Sequence, residues 1–536
     1  MIASRVHSRL LRLAADRQLV RQIERVETYL RGLGGEAKAD EGPVLFFNAS
    51  TRIHHVSLNA AYSLLASWAV RSVSVPVHYL VCQKGLDPCV LGTNRQDYGA
   101  HPPCSSCLPL SGRLYPREMV TSLTYNAGLG SEVDRELAAL SLAELGAWSH
   151  GGLPLGELCL PGLRWALRRH NLPDDEPTRR LFRRYLASAA SLASEAEKAL
   201  EALHPRSLVV FNGIMYPEAV VRSVALRRGV PVMTHEVGLR PLSAFFSHEH
   251  ATFRQVDFPA DFALGAEQNQ RLDAYLGERF RGRFTMAGIQ FWPEMQVLPD
   301  WLVQRMAEHR QTVTIFTNVI FDTSQIHANT LYPEMFAWLA DVMPAIEAHP
   351  DSLFVIRAHP DEDRPGKESR ESVAAWVRDR RLSEQANVVF FPPSERVSSY
   401  ELICRSKLTL VYNSSIGLEA SILGAPVLCA ARARYTQIPT VFYPSDRQAY
   451  LSQLRDLLGA PEISVPSEFA VNARRFLYFE LYKASIDLSA FLEPYPGVPG
   501  FVTLSEFNPA KELGDVGAEL GIIRGGILEG KDFLYP

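Results

Sequence analysis

Residues 408–420 read Leu-Thr-Leu-Val-Tyr-Asn-Ser-Ser-Ile-Gly-Leu-Glu-Ala. The run Leu408–Tyr412 is apolar and β-branched enough for a buried strand, and the polar Asn413-Ser414-Ser415 ends it. A helix follows at once, from Ser415 to Leu423. Gly424 stops it, and Pro426–Ala430 reads as the next strand. A strand running straight into a helix and back into a strand is the unit of a parallel α/β sheet. The exposed amides at such a helix start carry partial positive charge, so the junction suits a phosphate. Asn413 stands there, and Ser414 or Ser415 can bind the anion or cap the helix, two compatible roles. Glu419, four residues beyond Ser415 on the same helix face, is in reach of ribose hydroxyls. A plain N-cap without ligand is the alternative.

The same alternation extends outward in both directions. Thr312–Thr317, Leu353–Ala358 and Val388–Phe391 read as strands, with a helix over Tyr332–His349. An earlier series has Val44–Phe47 as a strand ending at Asn48-Ala49-Ser50, a helix from Ser57 to Ala69, and a strand over Pro76–Val81. Residues 110–200 read as mostly helical, broken at Gly151-Gly152 and Pro173–Pro177. Then come the strand Ser207–Phe211, a turn at Asn212-Gly213, the helix Pro217–Arg228 and the strand Val230–Thr234. Phe291–Gln311 is the best linker between the two series. The expected fold is α/β with two Rossmann-like lobes and a cleft between them. The expected division is an N-terminal amphipathic helix over 1–40, a first lobe over 41–295, a second over 296–485 and a C-terminal extension over 486–536. Neither series carries Gly-x-x-x-x-Gly-Lys-Ser/Thr, which argues against a P-loop enzyme.

With 536 residues, 47% hydrophobic and 21% charged, the chain can build several packed cores. A net charge of −4 and no polybasic tract give a nucleic-acid partner no electrostatic support. No apolar run reaches the ~18–20 residues of a spanning helix. Met1–Arg12 lacks the apolar core of a secretion signal, so a cytoplasmic protein is expected. Residues 1–31 combine seven arginines with Ile2, Val6, Leu10, Leu13, Leu19, Ile23, Val26 and Leu30 at helical spacing. That pattern fits a helix packed on the protein surface, or peripheral contact with anionic lipid at the inner face of a membrane.

Cys82, Cys89, Cys104 and Cys107 fall within 26 residues, with Pro102-Pro103 before the Cys-x-x-Cys. Four thiolates can hold a structural zinc, while reduced thiols in an irregular loop are the alternative. No ligand set has a catalytic look.

Arg357-Ala358-His359-Pro360 closes the strand Leu353–Ala358, where open α/β sheets bind ligands, and an imidazole there can donate to a phosphate. Asp361-Glu362-Asp363 follows; its charge density and Pro365-Gly366 suggest a solvated loop.

The His-Pro pair followed about 55 residues later by Ser-Ser at a helix start resembles the capsule polysaccharide biosynthesis family and Kdo transferases. Bacterial sialyltransferases share that pair for a CMP-sugar. Phe316–Asp322, Trp338, Arg434-Tyr435…Thr440 and Ala473–Phe479 look like the capsule family too. The likeness covers roughly residues 205–490. It implies a GT-B glycosyltransferase with the nucleotide of a CMP-, CDP-, UDP- or GDP-linked sugar on the C-terminal lobe, held by Arg357, His359, Asn413, Ser414, Ser415 and Glu419. The acceptor would be a glycan or lipid-linked molecule, with Asn212, Arg240 and Tyr435 as substrate contacts. Preorganised positive groups would replace the metal of other transferases, so no cofactor is required for catalysis.

The N-terminal lobe should then bring an acid or base. Within His235-Glu236-Val237-Gly238-Leu239-Arg240, Glu236 is the first candidate, with His235 beside it; Asp322 is the second. The same hexapeptide is similar to the His-x-Glu-x-Gly-Leu-Arg of UDP-N-acetylglucosamine 2-epimerases, less one residue. Such an epimerase, a CDP-glycerol-type glycerophosphotransferase and a non-catalytic nucleotide-sugar-binding module are the competing classes.

Overall fold

The computed structural model describes residues 2–33, 42–49, 53–258, 262–283, 285–286, 289–290, 295–514 and 517–536. Ser50 at the end of the first strand, and residues 291–294 of the expected linker, lie outside the described residues.

Seven strands form the first sheet, in the spatial order Ile486–Asp487, Ser243–Ser247, Val232–Val237, Ser207–Phe211, Val44–Asn48, Val77–Cys82 and Val120–Leu123. The last five are mutually parallel, and Ser243–Ser247 returns antiparallel on Val232–Val237. Successive residues of Val44–Phe47 are all buried because helices cover both faces, which is why the run reads as continuously apolar. On one face lies helix Leu58–Arg71, capped by Ser57 Oγ accepting from the Ala60 amide at 3.2 Å. On the other lies helix Glu176–Leu203, started by Asp175, whose carboxylate accepts from the Thr178 amide at 2.9 Å.

The second sheet is wholly parallel, in the order Val388–Phe391, Ser352–Arg357, Gln311–Phe316, Leu408–Val411 and Val427–Cys429. Its chain order reverses between Gln311–Phe316 and Leu408–Val411, and that of the first sheet between Val44–Asn48 and Ser207–Phe211. Ligands of doubly wound sheets bind at the carboxyl ends beside such reversals. Asn413-Ser414 and Asn212 stand there. The two Rossmann-like lobes of the expected fold are thus present.

The chain crosses between lobes at other points than the sequence pattern suggests. Ala251, Val256, Leu272 and Leu276 pack with Phe316, Val355 and Phe476, so the segment from about 251 joins the second lobe well before 295. The C-terminal extension returns to the first lobe: Ile486–Asp487 adds an edge strand, and helix Ala518–Glu529 packs on Leu58–Arg71. The N-terminal helix Ile2–Gly32 lies in the same layer. Leu19, Ile23, Val26 and Leu30 enter the core with Leu492 and Val502, and Glu27 is gripped by Arg71 at 2.6 and 2.7 Å. This is the protein-packed reading of that helix; Leu10, Leu11 and Leu13 stay exposed at its start. Among the described residues no helix is long and apolar enough to cross a membrane.

Asp361-Glu362-Asp363 is not a solvated loop. It forms a single 3₁₀ turn in which Glu362 is buried and accepts from the Val373 amide at 2.8 Å. Asp361 pairs with Arg364 at 3.0 Å and Lys367 at 3.8 Å. Two opposed charges on Asp361 and one backbone amide on Glu362 take the place of the water that the sequence alone suggests.

Candidate functional site in the cleft between the lobes

On the second lobe, His359 follows the strand Ser352–Arg357, and its Nδ1 accepts from the Asp361 amide at 3.1 Å. With Nδ1 accepting, the neutral ring carries its proton on Nε2, a donor suited to a phosphate oxygen. Burial lowers the imidazole pKa, opposed by the nearby Asp361 and Asp322 carboxylates. His359, Ser414, Ser415 and Arg357 line one small cavity of about 100 Å³ together with Thr317 and Arg279. Ser415 is the exposed residue before helix Ile416–Ile422 and its side chain caps nothing, while Ser414 lies half-buried beside it. Burial pushes Arg357 down to about 10, and one nitrogen donates to the Glu395 carbonyl at 3.3 Å.

On the first lobe, Glu236 stands near the end of Val232–Val237. Its Oε1 accepts from the Val237 amide at 2.8 Å and its Oε2 from Asn212 Nδ2 at 3.1 Å. Asn212 sits in the left-handed region at φ +60°, and its own side-chain oxygen accepts from the Ile214 amide at 3.0 Å. Asn212 therefore orients Glu236 rather than offering itself to a substrate.

Glu236 and Asp322 line a single cavity of about 440 Å³ between the lobes, with Asp361, Arg364 and Lys367 on the second-lobe side. Phe47, Val90, Trp165 and Met215 give its first-lobe side an apolar wall. Burial and the neighbouring Arg364 lower the Lys367 ammonium. Arg364 and Lys367 were not among the expected site residues. Their signal is position, five and eight residues beyond His359 on the segment leaving a strand end. A cleft with a carboxylate held by hydrogen bonds on one wall, guanidinium and ammonium on the other and the His359 imidazole in the neighbouring small cavity can deprotonate a hydroxyl opposite a leaving phosphate.

Several expected contacts have other employment. The Asn413 amide donates to the Ser324 carbonyl at 2.9 Å and accepts from Gln325 at 3.1 Å, so it fastens the loop after Gln311–Phe316 instead of meeting a phosphate. Tyr435 is buried and donates to the Ser414 carbonyl at 2.7 Å, bracing the serine turn from behind. Glu419 is also buried, at the edge of the same small cavity; Arg279 donates to it at 2.6 Å and Tyr400 at 2.5 Å, one on each oxygen, so its partners here are protein groups. Arg240 pairs with Asp487 at 3.1 Å and donates to the Ser485 carbonyl at 2.9 Å, clamping the returning chain. His235 alternates to the other face of its strand from Glu236, among Tyr62, Phe211 and Phe246, where burial pushes it down to about 3. Its ring is neutral and packed among aromatics, and the residue also borders the large cavity.

Cys82, Cys89, Cys104 and Cys107 all border the large cavity as thiols rather than disulfides. Burial pushes Cys82 up to about 11 and Cys89 up to about 12. Among the described residues no group of three or more His, Cys, Asp or Glu is arranged to hold a metal ion. The four thiols lie near enough to act on one another electrostatically, Cys104 and Cys107 on both Cys82 and Cys89.

Residues 299–440 match the model of a family described as capsule polysaccharide biosynthesis protein. No curated protein matches the chain. Among solved structures, a beta Kdo 2,4 transferase, KpsC of Thermosulfurimonas dismutans, is similar at 14% identity and TM-score 0.34, over 58% of this chain and 87% of that one. A UDP-GlcNAc 2-epimerase of Neisseria meningitidis, bound to UDP-GlcNAc, is similar at 11% identity and TM-score 0.24, over 81% and 95%. The N-terminal domain of Candida albicans trehalose-6-phosphate phosphatase is similar at 10% identity and TM-score 0.34, over 83% and 94%.

Proposed function

We propose that the protein is a glycosyltransferase that moves a sugar from a nucleotide-activated donor to a cell-surface glycan or lipid-linked acceptor. The observation that carries this reading is the convergence of Glu236 from one lobe with Asp322, Lys367 and Arg364 from the other on one cavity, with His359 beside them. The family match over residues 299–440 supports it, because it spans His359, Ser414 and Ser415.

In this reading the donor phosphate lies against His359 Nε2, Ser414 and Ser415, and Lys367 and Arg364 offset the charge that develops on the leaving nucleotide. These groups act in place of a divalent ion, so chelation with EDTA leaves turnover unchanged. Glu236, oriented by Asn212, takes the proton of the acceptor hydroxyl as the new glycosidic bond forms. Asp322 lies across from it. The apolar wall of the cavity receives the body of the acceptor.

The test is a screen of CMP-, CDP-, UDP- and GDP-linked sugars by thermal shift, then by product analysis with and without acceptor. A ligand that binds only the native state raises its melting temperature. Transferase chemistry gives free nucleotide that rises with acceptor. A new epimer formed without acceptor assigns the epimerase class instead, and no stabilisation by any of the four excludes a nucleotide-sugar enzyme.

A further inference from the structure

Asp322 also borders a second cavity, of about 260 Å³, which Lys367 does not line. The loop 320–329 forms one wall, and Pro161, Arg164 and His170 of the first lobe's helical insert form the other. Its polar lining falls into two kinds. Gln325 and Asn329 are occupied, the first donating to Asn413 and Ser324, the second accepting from Tyr412. Arg164 makes no side-chain hydrogen bond among the described residues, and its Nε is buried without a partner. The acid that acts on it is Glu371, whose Oε2 is already shared by the His170 and Asn171 amides at 2.6 and 2.9 Å.

His327 lines the same cavity, with its backbone in the left-handed region at φ +64°, a conformation that persists only where the surroundings impose it. Its ring lies 5.8 Å from that of His250, which meets Arg222 Nη2 at 3.5 Å. Arg222 and Arg432 both act electrostatically on the two imidazoles. Arg164 and His170 from one lobe and His327 from the other thus line this cavity, and Arg222, Arg432 and His250 lie beyond His327. The carboxylates within reach are Asp322 at its mouth, Glu371 behind Arg164 and the exposed Glu249 beside Arg222.

Buried charges are paired or bound to a ligand, because an unpaired one costs far more than a satisfied one. We propose that the cavity between Arg164 and His327 is an oxyanion site, which takes a carboxylate or phosphate group carried by the sugar substrate whose reacting centre lies at Asp322. Arg164 supplies the fork of donors, and His327 a ring N–H. Two lobes contribute, so an occupied site also fastens them together. The assignment of the anion to a substrate rests on the transferase reading; the site itself does not.

Calorimetric titration of the full chain with glucuronate, inorganic phosphate and glucose tests this, in the unaltered protein and in Arg164→Gln, His327→Gln and His359→Ala. The expected result is binding of an oxyanion but not of glucose, weakened about ten-fold or more by Arg164→Gln or His327→Gln and unchanged by His359→Ala. Tighter binding of glucuronate assigns the site to a sugar acid, and tighter binding of phosphate to a phosphate group. Equal heats for glucuronate and glucose with no binding of phosphate, or anion affinity lost in His359→Ala but kept in Arg164→Gln, would overturn the proposal. Free-nucleotide affinity in the same variants reports separately on the transferase reading. A melting temperature kept in His327→Gln guards against an unfolded Arg164 variant.

Discussion

Asn212 donates to the Glu236 carboxylate at 3.1 Å from a backbone position, φ +60°, that the strand end imposes on it. The second Glu236 oxygen is held by the Val237 amide, so the carboxylate has one orientation before any substrate arrives. Glu236→Gln should keep nucleotide affinity and lower turnover by roughly 10²–10⁴-fold, the range of a lost general base. Asn212→Ala should cost turnover too, but less. Steady-state kinetics decide: an active Glu236→Gln with a dead Asp322→Asn would move the base to the other lobe.

Glu419 and Arg279 form a buried pair completed by Tyr400. Glu419→Ala strands a guanidinium in the core, and breaking such a pair costs about 3–5 kcal/mol. Chemical denaturation should therefore show a large loss of stability. A stable Glu419→Ala protein that fails to bind nucleotide would favour the ribose role.

How far the sequence could be read follows from the range of each interaction. The strands Ser207–Phe211 and Val388–Phe391 agree with the pattern because parallel strands buried on both faces are continuous apolar runs. The pairing of Glu419 was not legible because its partner lies 140 residues away, and no local spacing reveals Arg279. His235 and Glu236 look alike as neighbours at a strand end, but period-two alternation turns the first in among aromatics and the second to the cleft. Tyr435, singled out with Arg434 by family likeness, serves the site indirectly through the Ser414 carbonyl. The return of residues 486–536 to the first lobe depends on packing against Leu58–Arg71, which no motif announces.

The neutral histidines predict acid sensitivity. His235 is pushed down to about 3, and His170 and His250 to about 4, all chiefly by burial. The unfolded chain binds these protons near pH 6.5 and the folded chain does not, so stability is present above about 6.5 and falls as pH drops toward those values. Each such group contributes a slope of up to about 1.4 kcal/mol per pH unit. His235→Phe removes a buried nitrogen without a partner, Nδ1, and should flatten the profile between pH 6 and 4 without loss of stability at pH 7. An unchanged slope in denaturation midpoints would contradict the buried neutral assignment.

Glu362 has the opposite sign. Burial pushes its pKa up to about 8, so the folded chain holds a proton that the unfolded chain releases near pH 4.5. Its contribution is full below about 4.5 and is lost as pH rises through 8. Glu362→Gln keeps the shape and the acceptor for the Val373 amide without a charge to bury. It should be more stable than the unaltered chain at pH 8–9, and nearly equal to it at pH 5, in paired thermal melts.

The transferase account stands or falls on the phosphate cradle. Calorimetric titration of the nucleotide chosen by the donor screen should give a defined affinity for the unaltered chain. His359→Ala and the double change Ser414→Ala/Ser415→Ala should each weaken it by roughly ten-fold or more, because a hydrogen bond to a charged group is worth about 1.5–3 kcal/mol. Melting temperatures should fall only slightly, since His359→Ala gives up one cap, to the Asp361 amide, and Ser415 caps nothing. Nucleotide affinity unchanged in both variants would contradict the account.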